Sequence, residues 1–108
     1  GCVFRNCHLD SGYRISNGEF NNCSLLIDGN INNASINDCS LHGGGTSNSC
    51  NIRKSDVKVI TLEAGTVEYS DIIYSILNDS VSVKGCKLRN CTIYGAKFSS
   101  EFTEIIGC

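Results

Sequence analysis

The sequence predicts an all-β chain wound as a parallel β-helix, a solenoid with three short faces and about 16 residues per coil, and three observations carry that expectation. Large apolar residues recur in steps of five and six, mostly small residues stand two places before them, and Asn, Asp or Gly often stand two places after. Residues i and i+2 of a strand point to the same side, so the small residue and the large one both face inward while their neighbours face solvent. Asn, Asp and Gly enter the left-handed backbone region most readily, and a tight corner needs that region. Each five-residue unit therefore reads as a very short strand plus a corner. The spacing leaves the hand of the coil open.

In chain order, the large residues of the first coil are Phe4, Leu9 and Ile15, those of the second Phe20, Leu25 and Ile31, and the third begins with Ile36 and Leu41. Like residues recur at 16: Cys7, Cys23 and Cys39 in one small position; Phe4, Phe20, Ile36 and Ile52 in one column; Leu9, Leu25, Leu41 and Val57 in the next. These form the expected core ladder, with Asn6, Asn22 and Asp38 at the corner after the first face. A glycine stretch from Gly43 to Gly45 blurs the register before it resumes at Ile52, Val57 and Leu62. The next coil is shortened to 15, giving Val67, Ile72 and Leu77, and the spacing returns to 16 at Leu88 and Ile93, with Val83 and Phe98 keeping the five- and six-residue steps. Coils stacked at about 4.8 Å predict a rod roughly 30 Å long. Ile72, Ile73, Ile76 and Leu77 also fit helical spacing, but the five-residue register runs through them on both sides and favours strands. A sandwich of hairpins would need strands of about five residues or more, and the triplets here are shorter.

Length and composition bound the rest. A chain of 108 residues, 41% hydrophobic, holds one domain, read here as a single solenoid over 1–108. It opens on Gly1 and ends on Cys108 shortly after the apolar pair Ile105 and Ile106, which reads as a piece of a longer chain. Nine basic and eleven acidic residues give a net charge of -2, too even for nucleic-acid binding or membrane adhesion. No apolar run has the length of a membrane span and no signal segment opens the chain. Eleven Gly and eight Cys with no Pro, Trp or Met suit neither a helical bundle nor a linker.

Seven of the cysteines, Cys2, Cys7, Cys23, Cys39, Cys50, Cys86 and Cys91, fall in the small inward position that Ala, Gly and Ser also occupy. A buried free thiol acting as a small hydrophobe accounts for them, while stacked pairs such as Cys7 and Cys23 would also lie within disulfide reach. The spacing lacks the short paired knuckles of a structural zinc site, so no metal and no cofactor is expected. His8 and His42 fall on outward positions in different columns. Glu63, Glu68, Asp71 and Asp79 form an acidic stretch, and Lys84, Lys87, Arg89 and Lys97 a basic one after it, read as a solvated face with attraction between coils, or alternatively as bands setting the docking polarity of subunits. "HGGGTSNS" is read as a loosened corner, since no nucleophile or phosphate-loop motif accompanies it. Tight corners build no cleft for catalysis. The mixed outward column Val3, Glu19, Ser35 and Asn51 lacks the regular Thr rows of an ice-binding face.

"GCKLRNCTIYGAKFSS" and "CVFRNCHLD" resemble the pentapeptide-repeat family, whose units run small, Asn/Asp, Leu/Phe, polar, Gly. That resemblance implies a right-handed, four-sided β-helix and, in some members, a DNA-mimic module acting on a topoisomerase. Four five-residue units make a coil of about 20 residues. This chain stacks on a shorter period, and the place before the large residue is Asn or Asp only in cases such as Asn30, Asn51, Asp56 and Asp71. "NGEFNNCSLLIDGNINNASINDCSL" is similar to the Asn-rich, Ile-rich β-helical segments of bacteriophage tail fibres, spikes and tail-tip proteins, which are often trimeric. The resulting expectation is a non-enzymatic structural rod or spacer of a phage virion protein, assembled in the bacterial cytoplasm. Its partners would be the rest of its own chain, sister chains in a homo-oligomer such as a trimer, other virion proteins or a host-surface receptor, with no nucleic acid and no membrane insertion. The alternative is a cytoplasmic repeat module of the DNA-mimic kind, and the second alternative a polysaccharide-binding or depolymerase β-helix, which would need paired outward carboxylates in a groove.

Overall fold

The computed structural model describes residues 3–11, 15–98 and 103–108, so Cys2 lies outside the described residues. Three short strands open the first coil, β1 (Val3–Arg5), β2 (His8–Ser11) and β3 (Ile15–Ser16), and three more the second, β4 (Glu19–Asn21), β5 (Ser24–Ile27) and β6 (Asn30–Asn32). The chain continues through β7 (Ser35–Asn37), β8 (Ser40–His42), β9 (Thr46–Arg53), β10 (Asp56–Lys58) and β11 (Thr61–Glu68). It then forms β12 (Asp71–Ile73), β13 (Ile76–Lys84), β14 (Lys87–Arg89), β15 (Thr92–Ile93), β16 (Lys97–Phe98) and β17 (Glu104–Ile106). Every pairing among them is parallel, and each strand pairs with its counterpart one coil away. The molecule is a parallel β-solenoid of extents 32 × 22 × 19 Å, long along the stacking direction the register implies.

The first face stacks Phe4 on Phe20, Phe20 on Ile36 and Ile36 on Ile52, each pair separated by one full coil. Its upper part runs Ile52, Val67, Val83 and Phe98, where steps of 15, 16 and 15 appear. The second face carries Leu9, Leu25, Leu41, Val57, Ile72, Leu88 and Ile105. Phe20, Leu25, Ile36, Leu41, Ile52 and Val57 are all buried, and Phe4, Cys7 and Leu9 pack half-covered against them at the first coil. Burying a residue of this kind contributes roughly 1.5–3 kcal/mol, so these columns supply the main driving force. In-register stacking also sets the Phe4 and Phe20 rings 4.9 Å apart and 5° from parallel, a geometry imposed by the rung spacing.

Corners follow from backbone chemistry. Asn6, Asn17, Asn22, Asn33, Asp38 and Asn90 adopt φ between 53° and 60°, and Gly43, Gly85 and Gly95 are positive as well. Ser49, Lys54, Val59, Tyr69 and Tyr74 share that conformation at equivalent corners, although nothing in their side chains favours it. Asp79, which stands two places after Leu77 as Asn and Asp do at the corners, lies within β13 and is absent from the positive-φ set. The corner N–H groups donate across to the next coil, Asn22 to Asn37 O at 3.0 Å and Val59 to Ile73 O at 3.1 Å among them. The turns therefore continue the ladder that the strands begin, leaving few backbone groups to find other partners.

Three departures from the simple five-residue reading have local causes. Strands β9, β11 and β13 are eight, eight and nine residues long, because the third face runs on into the first without a full break, so the hydrogen-bonded network forms two sheets around three columns. The third column itself contains Ser47, aligned between Ile31 and Leu62, buried at 1% exposure with its Oγ unpartnered. Ile27 turns inward at the end of β5, and the glycine stretch passes over it on the next coil: a Cβ on Gly45 would overlap Ile27 O, and one on Gly43 would lie 2.8 Å from it. Gly43 and Gly45 are thus glycine because Ile27 occupies the space side chains would need, whereas Gly44 has open space around it and a positive φ of 83°.

Candidate binding surface

The inward small column ahead of the second face reads Cys7, Cys23, Cys39, Ser55, Ser70, Cys86, and its side chains do more than fill space. Ser55 Oγ donates to Arg53 O at 2.8 Å and accepts from Cys39 N–H at 3.2 Å; Ser70 Oγ donates to Glu68 O at 2.9 Å and accepts from Ser55 N–H at 3.2 Å. Cys39 repeats the pattern with sulfur, donating to Asn37 O at 3.1 Å and accepting from Cys23 N–H at 3.4 Å. Each group ties its own strand end to a corner N–H one coil away, which explains why Cys and Ser interchange there. The sequence reading of the thiols as small hydrophobes captures their burial and misses this hydrogen bonding. Cys108 extends the third small column, its Sγ accepting from Cys91 N–H at 3.2 Å. All described cysteines are free thiols. Desolvation by burial pushes Cys39, Cys86 and Cys91 above the ordinary thiol pKa, so they are poor nucleophiles.

Outward side chains form columns of their own. On the first face they satisfy one another: Asn22 Nδ2 donates to Asn6 Oδ1 at the adjoining corner at 2.6 Å, Asn37 Nδ2 to Asn21 Oδ1 at 3.3 Å, Thr66 Oγ1 to Asn51 Oδ1 at 2.7 Å, and Arg53 pairs with Glu68 at 3.1 Å. The third face differs. Asn30, Asn32, Thr46, Asn48 and Glu63 line a shallow open groove of about 550 Å³. Asn32 lies in register with Asn48, and Asn30 with Thr46, yet no side-chain hydrogen bond joins either pair among the described residues. Glu63 is the extra residue of a β-bulge in β11 against β9, where Leu62 pairs with Ser47 and Ala64 with Asn48. Bulges re-aim a side chain; this one delivers a carboxylate into the groove. On the coils beyond Glu63, Asn78 and Tyr94 follow the paired Leu77 and Ile93, and Tyr94 is 61% exposed.

The acidic and basic stretches interleave between coils, as the reading of a solvated face has them, and do not form the separate bands of its alternative. Asp71 sits between Asp56 and Lys87 on the second face, Lys87 between Asp71 and Glu104, and Glu68 between Arg53 and Lys84 on the first. Lys84 Nζ also lies 5.7 Å above the Tyr69 ring. Glu63 lies on the third face, Glu68 on the first, Asp71 on the second and Asp79 within β13 where the third face runs into the first, so the groove holds one carboxylate and no pair. His42 stacks over Leu26 on the second face, and His8 faces outward at the first coil. No group of three or more His, Cys, Asp or Glu suited to a metal ion occurs among the described residues, and no described helix is long and apolar enough to cross a membrane.

No family model matches the chain, and no curated protein does. Among solved structures it is similar to a trypsin-treated variant of QnrB1, a plasmid-mediated fluoroquinolone resistance protein, at 13% identity and TM-score 0.40, over 99% of this chain and 74% of that one. A second trypsin-treated QnrB1 variant matches at 11% identity and TM-score 0.31, over 91% and 90% of the respective chains. Likeness that distant adds nothing to the register, which stands on the strand pairings and corners themselves. On those, the chain is a pentapeptide-repeat-like parallel β-solenoid with about 16 residues per coil.

Proposed function

We propose that residues 1–108 act as one repeat module whose task is binding rather than catalysis. The observation that carries this is the division of each coil: inward and corner positions are consumed by the fold, and the outward columns present fixed rows of polar side chains on a rigid support. The groove on the third face is open and lined by amides, a hydroxyl and a single carboxylate. General acid–base hydrolysis would need a second carboxylate facing the first. Free buried thiols fit a reducing compartment and favour the cytoplasm for the module.

The virion rod, with its trimeric partners and host receptor, rests on Asn-rich texture alone. The DNA-mimic version of a repeat module calls for a continuous negative stripe, and the described carboxylates are instead interleaved with Arg53, Lys84 and Lys87. We therefore read the partner as one recognised by neutral hydrogen-bonding groups. Sedimentation equilibrium of the chain tests the reading: a monomer is expected, and a stable trimer would overturn it in favour of the fibre. A topoisomerase activity assay with added chain decides the DNA-mimic version, for which stoichiometric inhibition is the required result.

A further inference from the structure

We propose that the third face is a binding site for an extended, uncharged glycan lying along the solenoid axis, held by Asn30, Asn32, Thr46, Asn48 and Glu63 and stacked at its far end on Tyr94. This deepens the binding-module reading above and rests on it.

Unused hydrogen-bonding capacity is the first argument. The amides of the first face are occupied with one another, whereas Asn30 and Asn32 and the Thr46 hydroxyl have no side-chain partner among the described residues, and Asn48 accepts only a long 3.4 Å contact from Ser49. Each free amide offers both a donor and an acceptor, and a carboxylate accepts from two neighbouring hydroxyls. That combination matches a polyhydroxylated ligand, whose every hydroxyl both donates and accepts.

Charge is the second argument. The described cations all lie elsewhere: Arg5, Arg53, Lys84 and Lys97 on the first face, Lys58, Lys87 and Arg89 on the second, and Lys54 at the corner between. The described third face carries Glu63 and no cation to balance it. A phosphate-bearing or sulfated polymer would meet the Glu63 carboxylate with no cation among the described residues to offset it; a neutral one meets no repulsion.

Geometry is the third. Asn32, Asn48, Glu63, Asn78 and Tyr94 each follow a residue of the third inward column (Ile31, Ser47, Leu62, Leu77 and Ile93) on successive coils, with Glu63 set off the row by its bulge, so the outward track climbs four rungs, roughly 19 Å at about 4.8 Å each, and one rung is close to the advance of one sugar ring in an extended chain. Tyr94 ends the column with an exposed aromatic ring whose face can cover the apolar side of a sugar. The bulge at Glu63 turns the carboxylate toward the middle of this track.

The test is two-dimensional amide NMR of the whole chain titrated with cello-, malto-, manno- and chito-hexaose, with an oligogalacturonate as the anionic counterpart. At least one neutral hexaose should shift amides around residues 30–32, 46–48, 61–63 and 92–94 and leave the first and second faces unmoved, while the oligogalacturonate should not bind. Asn48→Ala and Tyr94→Ala, both at exposed side chains, should each weaken binding about three- to tenfold with otherwise native spectra. No shift with any neutral hexaose at millimolar concentration, shifts confined to another face, or unchanged affinity in both variants overturns the glycan assignment and leaves the binding-module reading standing. Shortened oligosaccharides in the same samples would overturn the non-catalytic reading instead.

Discussion

Val59 occupies a corner that five asparagines occupy elsewhere, at φ 57° against 53–60° for Asn6, Asn17, Asn22, Asn33 and Asn90. Left-handed backbone costs an L-residue about 1–2 kcal/mol, and a β-branched side chain is among the least suited to it. The corner itself must stay, because Val59 N–H donates to Ile73 O at 3.1 Å. Val59 is 48% exposed, so removing its apolar side chain forfeits about half the roughly 1.5 kcal/mol that full burial of a valine contributes. Relief of strain exceeds that loss, and Val59→Asn should stabilise the fold by about 0.5–1 kcal/mol. Val59→Gly relieves the same strain but adds unfolded-chain freedom worth about 0.5–1 kcal/mol, so it should be close to neutral. The reverse exchange, Asn33→Val at φ 53°, should destabilise by about 1–2 kcal/mol. Urea unfolding followed by circular dichroism and by tyrosine fluorescence gives the free energies, with coincident transitions required because repeat arrays can lose two-state behaviour. A Val59→Asn chain that unfolds at lower urea than its parent, together with an Asn33→Val chain that does not, would refute the account of the corners.

Three further outcomes follow from the interior. Ser55→Ala strands the buried Cys39 N–H and should cost about 1–3 kcal/mol, whereas Ser55→Cys restores the pattern its neighbours use and should cost less than about 1 kcal/mol; urea midpoints distinguish them. Gly65→Ala forces a Cβ into the Cys50 backbone at φ 119° and should cost about 3 kcal/mol, while Gly44→Ala, at φ 83° with nothing within 4 Å, should cost only the local strain of about 1–2 kcal/mol. Stability should be level up to the ordinary thiol pKa of about 8.5 and fall above it: Cys39, Cys86 and Cys91 are raised by burial, so the unfolded chain loses these protons first and gains relative to the fold. The decline continues until the folded thiols ionise, at most about 1.4 kcal/mol per pH unit per thiol, and a flat profile through pH 10 would contradict the burial.

The anchors at Phe4, Phe20, Leu25, Ile36 and Ile72 could be read from the chain because hydrophobicity and spacing agree there, and the shortened coil from Ile52 to Val67 showed itself in the same way. Ser47 could not. It fills an anchor position with a small hydroxyl, so a scan for large apolar residues passes over it, and its place emerges only from its pairing with Ile31 and Leu62. Val59, Tyr69 and Tyr74 hid their corners for a related reason: side-chain identity reports a left-handed residue when the chain uses Asn or Gly, and is silent when the surrounding ladder imposes that conformation on something else. The fusion of the third and first faces in β9, β11 and β13 depends on corner torsions that composition does not encode.

The candidate surface was harder to see because it depends on which side chains sit one coil apart, not on any motif. Asn21 and Asn37 are one coil apart, and so are Asn32 and Asn48; in sequence the two pairs look alike. In the fold the first pair is joined at 3.3 Å and the second is not, and the difference tracks the bulge at Glu63, which disturbs the register of the coil immediately above Asn48. A self-paired amide row is inert toward solutes, because a ligand must break one hydrogen bond to gain another. An unpaired row has only water to release. The capacity to bind therefore resides where the solenoid's own repetition fails, at the extra Glu63 of β11 that the extra Ser49 of β9 offsets one step later.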